Sequence, residues 1–141
     1  MTPEQLSDLH ASCFIDAPRP WSATEFRDLL ASPGVSLLTR PKGFAVLRVA
    51  GPEAEVLTLA VAPEARRQGV GRSLVADMVQ YARKAGVEDL LLEVSETNTA
   101  ARNLYENMGF SSAGYRKDYY KPRSGQRVSA LVMRKALGHA T

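Results

Sequence analysis

The chain has 141 residues and a hydrophobic fraction of 45%, enough to bury one core without help from disulfides or metals. We therefore expect a single domain spanning residues 1–141. Its 18 basic and 15 acidic residues leave a net charge of +3 and are interspersed along the sequence, which argues against a nucleic-acid-binding module.

Three local features disfavour further classes of protein. Cys13 is the only cysteine in the sequence, which excludes an intramolecular disulfide and is typical of a reducing cytoplasmic compartment. The N-terminal segment resembles no signal peptide, and no run approaches the roughly 18 consecutive apolar residues of a membrane helix. His10 and His139 have no cysteine or carboxylate at ligand spacing, so we expect no metal site. These features predict a cytoplasmic protein that does not bind a membrane.

Two capping-box patterns predict helices near the N-terminus. Residues 2–5 carry the first pattern, with Pro3 at the first helical position, and four residues recur behind it at helical spacing. Those four are Leu6, Leu9, His10 and Cys13. Residues 22–25 repeat the pattern and predict a second helix over about 22–31, which Ser-Pro-Gly at 32–34 ends.

Three short apolar or β-branched segments follow, at residues 35–40, 43–49 and 54–61, and predict an antiparallel meander. After a basic turn containing two glycines, an apolar stripe predicts a helix that ends at Gly86. The stripe consists of Leu74, Val75, Met78, Val79 and Ala82.

The C-terminal part of the chain alternates strand and helix before a hairpin. Residues 89–95 are nearly all apolar in the middle, which predicts a central strand buried on both faces. Asn98 can cap a helix that ends at Gly109 and directs Ala101, Leu104, Tyr105 and Met108 inward. Strands over about 112–120 and 127–133 flank a turn at 122–125.

The most informative segment is the passage from the third strand into the long helix. Residues 66–71 read Arg-Arg-Gln-Gly-Val-Gly, and glycines there let the backbone approach a ligand while the first helical N–H groups point outward. Arg66, Arg67 and Arg72 add positive charge. This is the layout of a pyrophosphate site, although an ordinary basic loop explains the residues alone equally well. The spacing matches neither a nucleotide-hydrolysing P-loop nor a dinucleotide-binding fingerprint.

These residues resemble the GNAT superfamily of acyl-CoA-dependent N-acetyltransferases, whose pyrophosphate loop has the form Arg-x-x-Gly-x-Gly. Four stretches are most similar to the RimI-type N-terminal acetyltransferases: residues 20–22, 92–98, 101–110 and 116–120. Ser95 and Thr97 depart from that branch, which usually has arginine and serine there. The resemblance implies an α/β (α+β) fold with a mixed sheet of about seven strands and about four helices, and acetyl-CoA as co-substrate.

The resemblance assigns catalytic roles to two residues. Glu93 matches the general base, and apolar strand neighbours would raise the pKa of such a carboxylate. On its position alone, a solvated or salt-bridged strand carboxylate is the favoured interpretation, and the resemblance reverses this preference. Tyr105 matches the acid that protonates the CoA sulfur, and a phenol with a pKa of about 10 is protonated at neutral pH. Without the resemblance it is an interior aromatic of an amphipathic helix.

The resemblance also implies how acetyl-CoA is bound. The strand that leads to the loop is expected to splay from its neighbour, so that its unpaired backbone groups bind the acetyl carbonyl and the pantetheine amides. Asn98 is expected to contact CoA as well as to cap its helix. The expected contacts are Leu59, Ala60 and Val61 through their backbone, Arg66, Arg67, Gln68, Gly69, Val70, Gly71, Arg72 and Ser73 in the loop, and Asn98.

The acceptor side is expected to have aromatic walls. Trp21 is a candidate, although packing explains it equally well. Tyr119 and Tyr120 alternate in a strand, so at most one should face the groove, and we favour Tyr119. The preferred acceptor is a protein N-terminal α-amine. A small-molecule amine or a non-catalytic acyl-CoA-binding module are the alternatives, and we expect a monomer or weak dimer.

Overall fold

The computed structural model describes residues 1–13, 19–120 and 127–138, which contain four α-helices and six strands. In chain order these are α1 (Pro3–Cys13), α2 (Ala23–Leu30), β1 (Val35–Arg40), β2 (Gly43–Ala50), β3 (Glu53–Val61), α3 (Val70–Lys84), β4 (Asp89–Ser95), α4 (Thr99–Asn107), β5 (Ser111–Tyr120) and β6 (Val128–Ala136). A short 3₁₀ turn, Pro63–Ala65, precedes α3. The predicted turn at 122–125, and His139, lie outside the described residues.

Both predicted capping boxes are present. Thr2 and Gln5 bond each other reciprocally: the Gln5 amide donates to Thr2 Oγ1 at 3.1 Å, and the Thr2 amide to Gln5 Oε1 at 2.8 Å. Ser22 and Glu25 do the same at the start of α2, with both bonds at 3.1 Å. Each box satisfies amides that the first turn of a helix leaves without partners, which is why the two helices begin where the sequence predicts.

The strands form one mixed sheet in the order β1-β2-β3-β4-β6-β5. The predicted meander is confirmed, because β1, β2 and β3 pair antiparallel. Of the six described strands, only β3 and β4 pair in parallel, and β6 joins β4 to the edge strand β5. The expectation of about seven strands is wrong for the described residues. Six segments carry a β pattern and each forms one strand, whereas the seventh was implied by the resemblance alone.

A core lies on each side of the sheet. On one side α3 and α4 cover β2, β3 and β4, and the whole predicted stripe of α3 is buried there. On the other side α1 and α2 cover β2 and β3 around Leu6, Phe26 and Phe44. The prediction that β4 is buried on both faces holds for only one of them. Leu90, Leu92 and Val94 are buried, but Leu91 and Glu93 are half-exposed because neither α1 nor α2 covers β4.

The pairing of β3 with β4 ends halfway along β3. Residues Glu53 to Val56 pair with Asp89 to Leu92, and the two strands then separate. Leu57 is a bulge, since Val56 pairs with Leu47 and Thr58 with the adjacent Val46. A bulge bends its strand and increases the local twist, which accounts for the divergence. The predicted splay of this strand is therefore confirmed.

His10 ties α1 to the chain that leads into α2. Its Nδ1 accepts a hydrogen bond from the Trp21 amide at 3.1 Å, and its ring stacks on the indole at 4.8 Å. Phe26 contacts the same imidazole edge-on. Burial lowers the His10 pKa from 6.5 to about 4, with Glu25 partly opposing the shift and Arg19 adding to it. The fold therefore requires neutral His10.

This requirement predicts acid sensitivity. Protonation of His10 favours the unfolded chain. The contribution of neutral His10 to the free energy of unfolding is therefore complete above pH 6.5, and it falls by at most about 3 kcal/mol as the pH drops towards 4. Urea unfolding of wild type and His10→Asn between pH 7.5 and 4.5 tests this, because asparagine keeps an acceptor for the Trp21 amide but does not titrate. The variant should lose less stability over this range. Equal losses would contradict the assignment.

Candidate active site

A cavity of about 670 Å³ opens where β3 and β4 separate. Its lining comes from the chain before α2, from α2 itself and from β2, β3, β4, α4 and β5, so elements distant in sequence converge on it. Six of the sixteen predicted site residues are among the lining residues, whereas Ala60, Val61 and residues 66–73 are not. The lining residues central to the site are Trp21, Leu57, Thr58, Leu59, Glu93, Asn98, Tyr105, Tyr119 and Tyr120.

Glu93 enters the cavity from β4. Its neighbours Leu92 and Val94 point into the opposite core, and its own side chain is 23% exposed. Arg116 of β5 reaches across β6 to place Nη1 3.2 Å from Glu93 Oε1. The expected apolar enclosure is therefore replaced by an ion pair. Sequence reasoning missed this contact because it joins strands whose register a sequence does not reveal.

Tyr105 enters the cavity from α4 and is buried, with 6% of its surface exposed. Its ring contacts Phe110 edge-on, with ring centroids 5.5 Å apart. Burial raises the pKa of the phenol well above its usual value of 10, because the phenolate would lose its hydration. The hydroxyl is therefore protonated throughout the neutral range.

Tyr119 and Tyr120 both line the cavity, so the expectation that at most one of them faces it is wrong. Arg116 pairs with Ala130 and Tyr120 with Val128, so β5 advances four residues where β6 advances two. The extra residues form a bulge in which Asp118 has a φ of +53°, and strict alternation fails there. The only signal in the sequence was Asp118 itself, a residue type that tolerates left-handed backbone.

The two tyrosines form an aromatic wall, here called the tyrosine wall. Their rings meet edge-on at 5.1 Å, and the Arg116 guanidinium lies 4.8 Å from the Tyr119 ring centroid. Burial, followed by the charge of Glu93, raises the pKa of Tyr120 to about 12. Trp21 lines the cavity as well, held by the stacking and hydrogen bond of His10 described above.

The basic loop at residues 66–73, here called the glycine loop, has the backbone of an anion site. Arg67 and Gly69 are left-handed, with φ of +64° and +82°, and such turns direct successive N–H groups into one concavity. Gly69 is the N-cap of α3, and no side chain caps this helix. The first intrahelical bond runs from Ser73 to the Gly69 carbonyl, so the amides of residues 70–72 have no helical acceptor.

Two side chains of the glycine loop donate hydrogen bonds to backbone carbonyls outside it. The Gln68 side chain donates to the Glu64 carbonyl at 3.2 Å, and Arg66 Nε to the Val61 carbonyl at 3.4 Å. Gly71 lets α3 approach α4, since a Cβ there would lie 3.2 Å from Leu104 Cδ2. Arg66, Arg67 and Arg72 are all exposed, with Val70 and Ser73 half-buried.

The open edge of β3 carries backbone groups that β4 does not pair. The Ala62 amide donates towards β2, to the Lys42 carbonyl, so by strand alternation Leu59 and Val61 direct theirs to the open side and Ala60 directs its own to β2. The Val61 carbonyl there already accepts from Cys13 Sγ at 3.2 Å. The Ala60 side chain is buried in the core, as expected. Leu57 and Thr58, which sequence reasoning did not select, also line the cavity.

Asn98 has the predicted capping role, because its Oδ1 accepts from the Ala101 amide at 3.1 Å. It is exposed and lines the cavity. Among the described residues, no group of three His, Cys, Asp or Glu side chains is arranged to hold a metal ion. No helix in the described ranges is long and apolar enough to cross a membrane.

Residues 4–110 match the Acetyltransferase (GNAT) family. The chain belongs to this family. It is 36% identical over 118 residues to the Escherichia coli ribosomal protein bS18-alanine N-acetyltransferase, which covers 81% of this chain and 79% of that protein. The crystal structure of the ribosomal-protein-S18-alanine N-acetyltransferase from Escherichia coli superposes with a TM-score of 0.82 and 31% identity, over 96% of this chain and 87% of the other.

A crystal structure of nourseothricin acetyltransferase is also similar, with a TM-score of 0.63 and 34% identity over 68% of this chain and 58% of that one. The GNAT fold class implied by the sequence is confirmed, with six strands in place of seven. The protein is an N-acetyltransferase, and its co-substrate is acetyl-CoA.

Proposed function

We propose that the protein transfers an acetyl group from acetyl-CoA to the N-terminal α-amine of another protein. The observation that carries the proposal is the cavity at the separation of β3 and β4, which Glu93, Tyr105 and the tyrosine wall line together. Similarity to an N-acetyltransferase that acts on an alanine of ribosomal protein bS18 supports this acceptor. We expect the protein to act in the cytoplasm as a monomer or weak dimer.

The glycine loop would hold the pyrophosphate of acetyl-CoA. The amides of residues 70–72, the left-handed turn and the exposed guanidinium groups of Arg66, Arg67 and Arg72 supply donors and positive charge. The pantetheine arm would run from there along the open edge of β3, where Leu59 and Val61 present backbone groups. That path brings the thioester to the separation of the strands, close to Asn98 and Tyr105.

The cavity provides groups for each step of the transfer. The neutral amine attacks the thioester carbonyl carbon, a C–N bond forms, the C–S bond breaks, and its electron pair leaves on sulfur. Glu93 takes the proton that the amine loses, directly or through a water molecule. Tyr105 gives a proton to the departing thiolate, and burial keeps this phenol protonated until then.

The acceptor would enter between Trp21 and the tyrosine wall. An α-amine has a reference pKa of about 7.7–8.0 against about 10.4 for a lysine, so far more of it is neutral at pH 7 and a modest base suffices. A small-molecule amine is the second candidate, because the similarity to nourseothricin acetyltransferase extends over 68% of the chain.

The acceptor class can be tested by CoA release. We expect turnover with peptides that carry a free N-terminal α-amine, and none with the same peptides when the α-amine is blocked and a lysine is present. A panel of polyamines, amino acids and aminoglycosides serves as the competing set. Turnover confined to that panel would remove the peptide proposal and establish the second candidate.

The catalytic roles predict separate effects on turnover and binding. Glu93→Gln and Tyr105→Phe should each lower kcat by roughly 10²-fold or more, because each removes a proton transfer, and leave CoA affinity nearly unchanged. Glu106→Gln, an exposed carboxylate beside Tyr105, is the matched control and should keep wild-type turnover. Wild-type kcat in both test variants would refute the assignments.

The conformation of the glycine loop predicts that a substitution at Gly69 weakens CoA binding, and the same substitution at Gly51 is the matched control. Gly69 and Gly51 both have positive φ, and a Cβ at either would meet nothing within 4 Å, so alanine costs each about 1 kcal/mol of stability through backbone strain alone. Only Gly69→Ala should also weaken CoA binding, by about tenfold, because it reorients the loop amides. Calorimetric titration with CoA measures this. Equal affinities in the two variants would place the pyrophosphate elsewhere.

A further inference from the structure

Glu96 directly follows β4 and joins three strands, although it does not line the cavity. Its Oε1 accepts from the Ser129 amide of β6 at 3.2 Å, and its Oε2 from the Tyr115 hydroxyl of β5 at 3.4 Å. Its own amide donates to the Ser129 carbonyl at 2.9 Å. The end of β4 is thereby fixed to both strands of the last antiparallel pair.

The same residue is bonded to α4, the helix that carries Tyr105. Arg102 Nη1 donates to the Glu96 carbonyl at 3.1 Å. Ser95 and Thr97, the two residues that depart from the RimI-type pattern, flank Glu96 and bond each other through their hydroxyls at 2.9 Å. The departure from that pattern therefore coincides with a turn that presents Glu96.

Ser129 continues the connection to the bulge of β5. Its hydroxyl, in a residue only 3% exposed, accepts from the Asp118 amide at 3.0 Å. Asp118 is the left-handed residue of the bulge that brings both Tyr119 and Tyr120 to the cavity. A continuous series of hydrogen bonds therefore runs from α4 through Glu96 and Ser129 to the tyrosine wall.

Core packing does not hold this wall in place. Every residue of β5 from Ser111 to Tyr119 is exposed, and the register of β5 with β6 is interrupted between Arg116 and Tyr120. A left-handed non-glycine residue is strained and persists only where its surroundings fix it. Among the described residues, the Ser129 hydroxyl bonds the backbone of Asp118 itself, and Glu96 fixes Ser129.

We infer that Glu96 and Ser129 are positioning residues that set the tyrosine wall at a fixed distance from the reacting groups. The inference rests on the proposed function in one respect, since it takes the tyrosine wall as the acceptor's binding surface. Neither residue touches substrate in this arrangement. Their loss therefore weakens binding of the acceptor while the acetyl-CoA side of the cavity is unaffected.

Steady-state kinetics of four variants test the inference, with whichever amine the wild type acetylates. Ser129→Ala and Glu96→Ala should raise the acceptor KM by about tenfold, while kcat and the acetyl-CoA KM stay within about twofold. Glu96→Gln should restore the acceptor KM, because its amide oxygen can accept from the Ser129 amide and its NH₂ can bond Tyr115. Ser112→Ala removes an exposed hydroxyl from β5, the strand that carries the bulge, and should behave as wild type.

Amide hydrogen exchange provides a readout that does not depend on turnover. In Ser129→Ala the Asp118 amide should exchange at least about tenfold faster than in wild type, whereas Arg116 and Ala130, which pair before the bulge, should keep their protection. Unchanged exchange at Asp118, or an unchanged acceptor KM in Ser129→Ala, would overturn the inference. So would a Glu96→Gln variant as impaired as Glu96→Ala.

The kinetic experiment and the hydrogen-exchange experiment together distinguish failure of this inference from failure of the proposed function. If the wild type acetylates no N-terminal peptide but does acetylate a small amine, the proposed acceptor is wrong and the kinetic arm proceeds with that amine. If it acetylates nothing, the proposed function fails, and the exchange arm still decides whether Ser129 holds the bulge.

Discussion

The site depends on the point at which β3 and β4 stop pairing. Backbone N–H and C=O groups inside a protein need partners, and a sheet normally provides them along the whole length of a strand. Beyond Val56 the β4 side of β3 has no strand partner, because the bulge at Leu57 bends the strand away. This separation of the two strands forms the cavity and exposes the edge of β3 that can bind the amides of the pantetheine arm. It also leads to the glycine loop. Continued pairing to Val61 would leave none of these.

Groups from the two sides of this separation differ in how firmly they are held. Leu59 and Val61 belong to β3 and the glycine loop leads into α3, and both of these elements pack on the larger core. Trp21 depends on a neutral histidine, and the tyrosine wall on hydrogen bonds at an exposed edge. The reacting side chains Glu93 and Tyr105 come from β4 and α4, between these two regions.

The features that the sequence predicted correctly depend on interactions between residues that are close together in the sequence. Ser22 and Glu25 bond each other three residues apart, and Asn98 caps its own helix. The order of elements followed from such local patterns, whereas the site residues followed from the resemblance to the GNAT superfamily. What could not be predicted depends on register between distant strands. Arg116 reaches Glu93 across β6, and β4 is half-open because α1 and α2 end over β2 and β3.

The bulge at Asp118 shows the same limit most clearly. Residues 117–120 read as a regular strand, and alternation then allows one tyrosine to face the groove, but two extra residues opposite Ser129 bring both there. Because β5 is exposed along nearly its whole length, the strand can accept substitutions without disturbing either core. Enzymes built on this plan can therefore diverge in the molecules they modify while the machinery that handles the acetyl donor stays the same. The freedom to change substrate comes from an edge strand whose side chains lie almost entirely outside both cores.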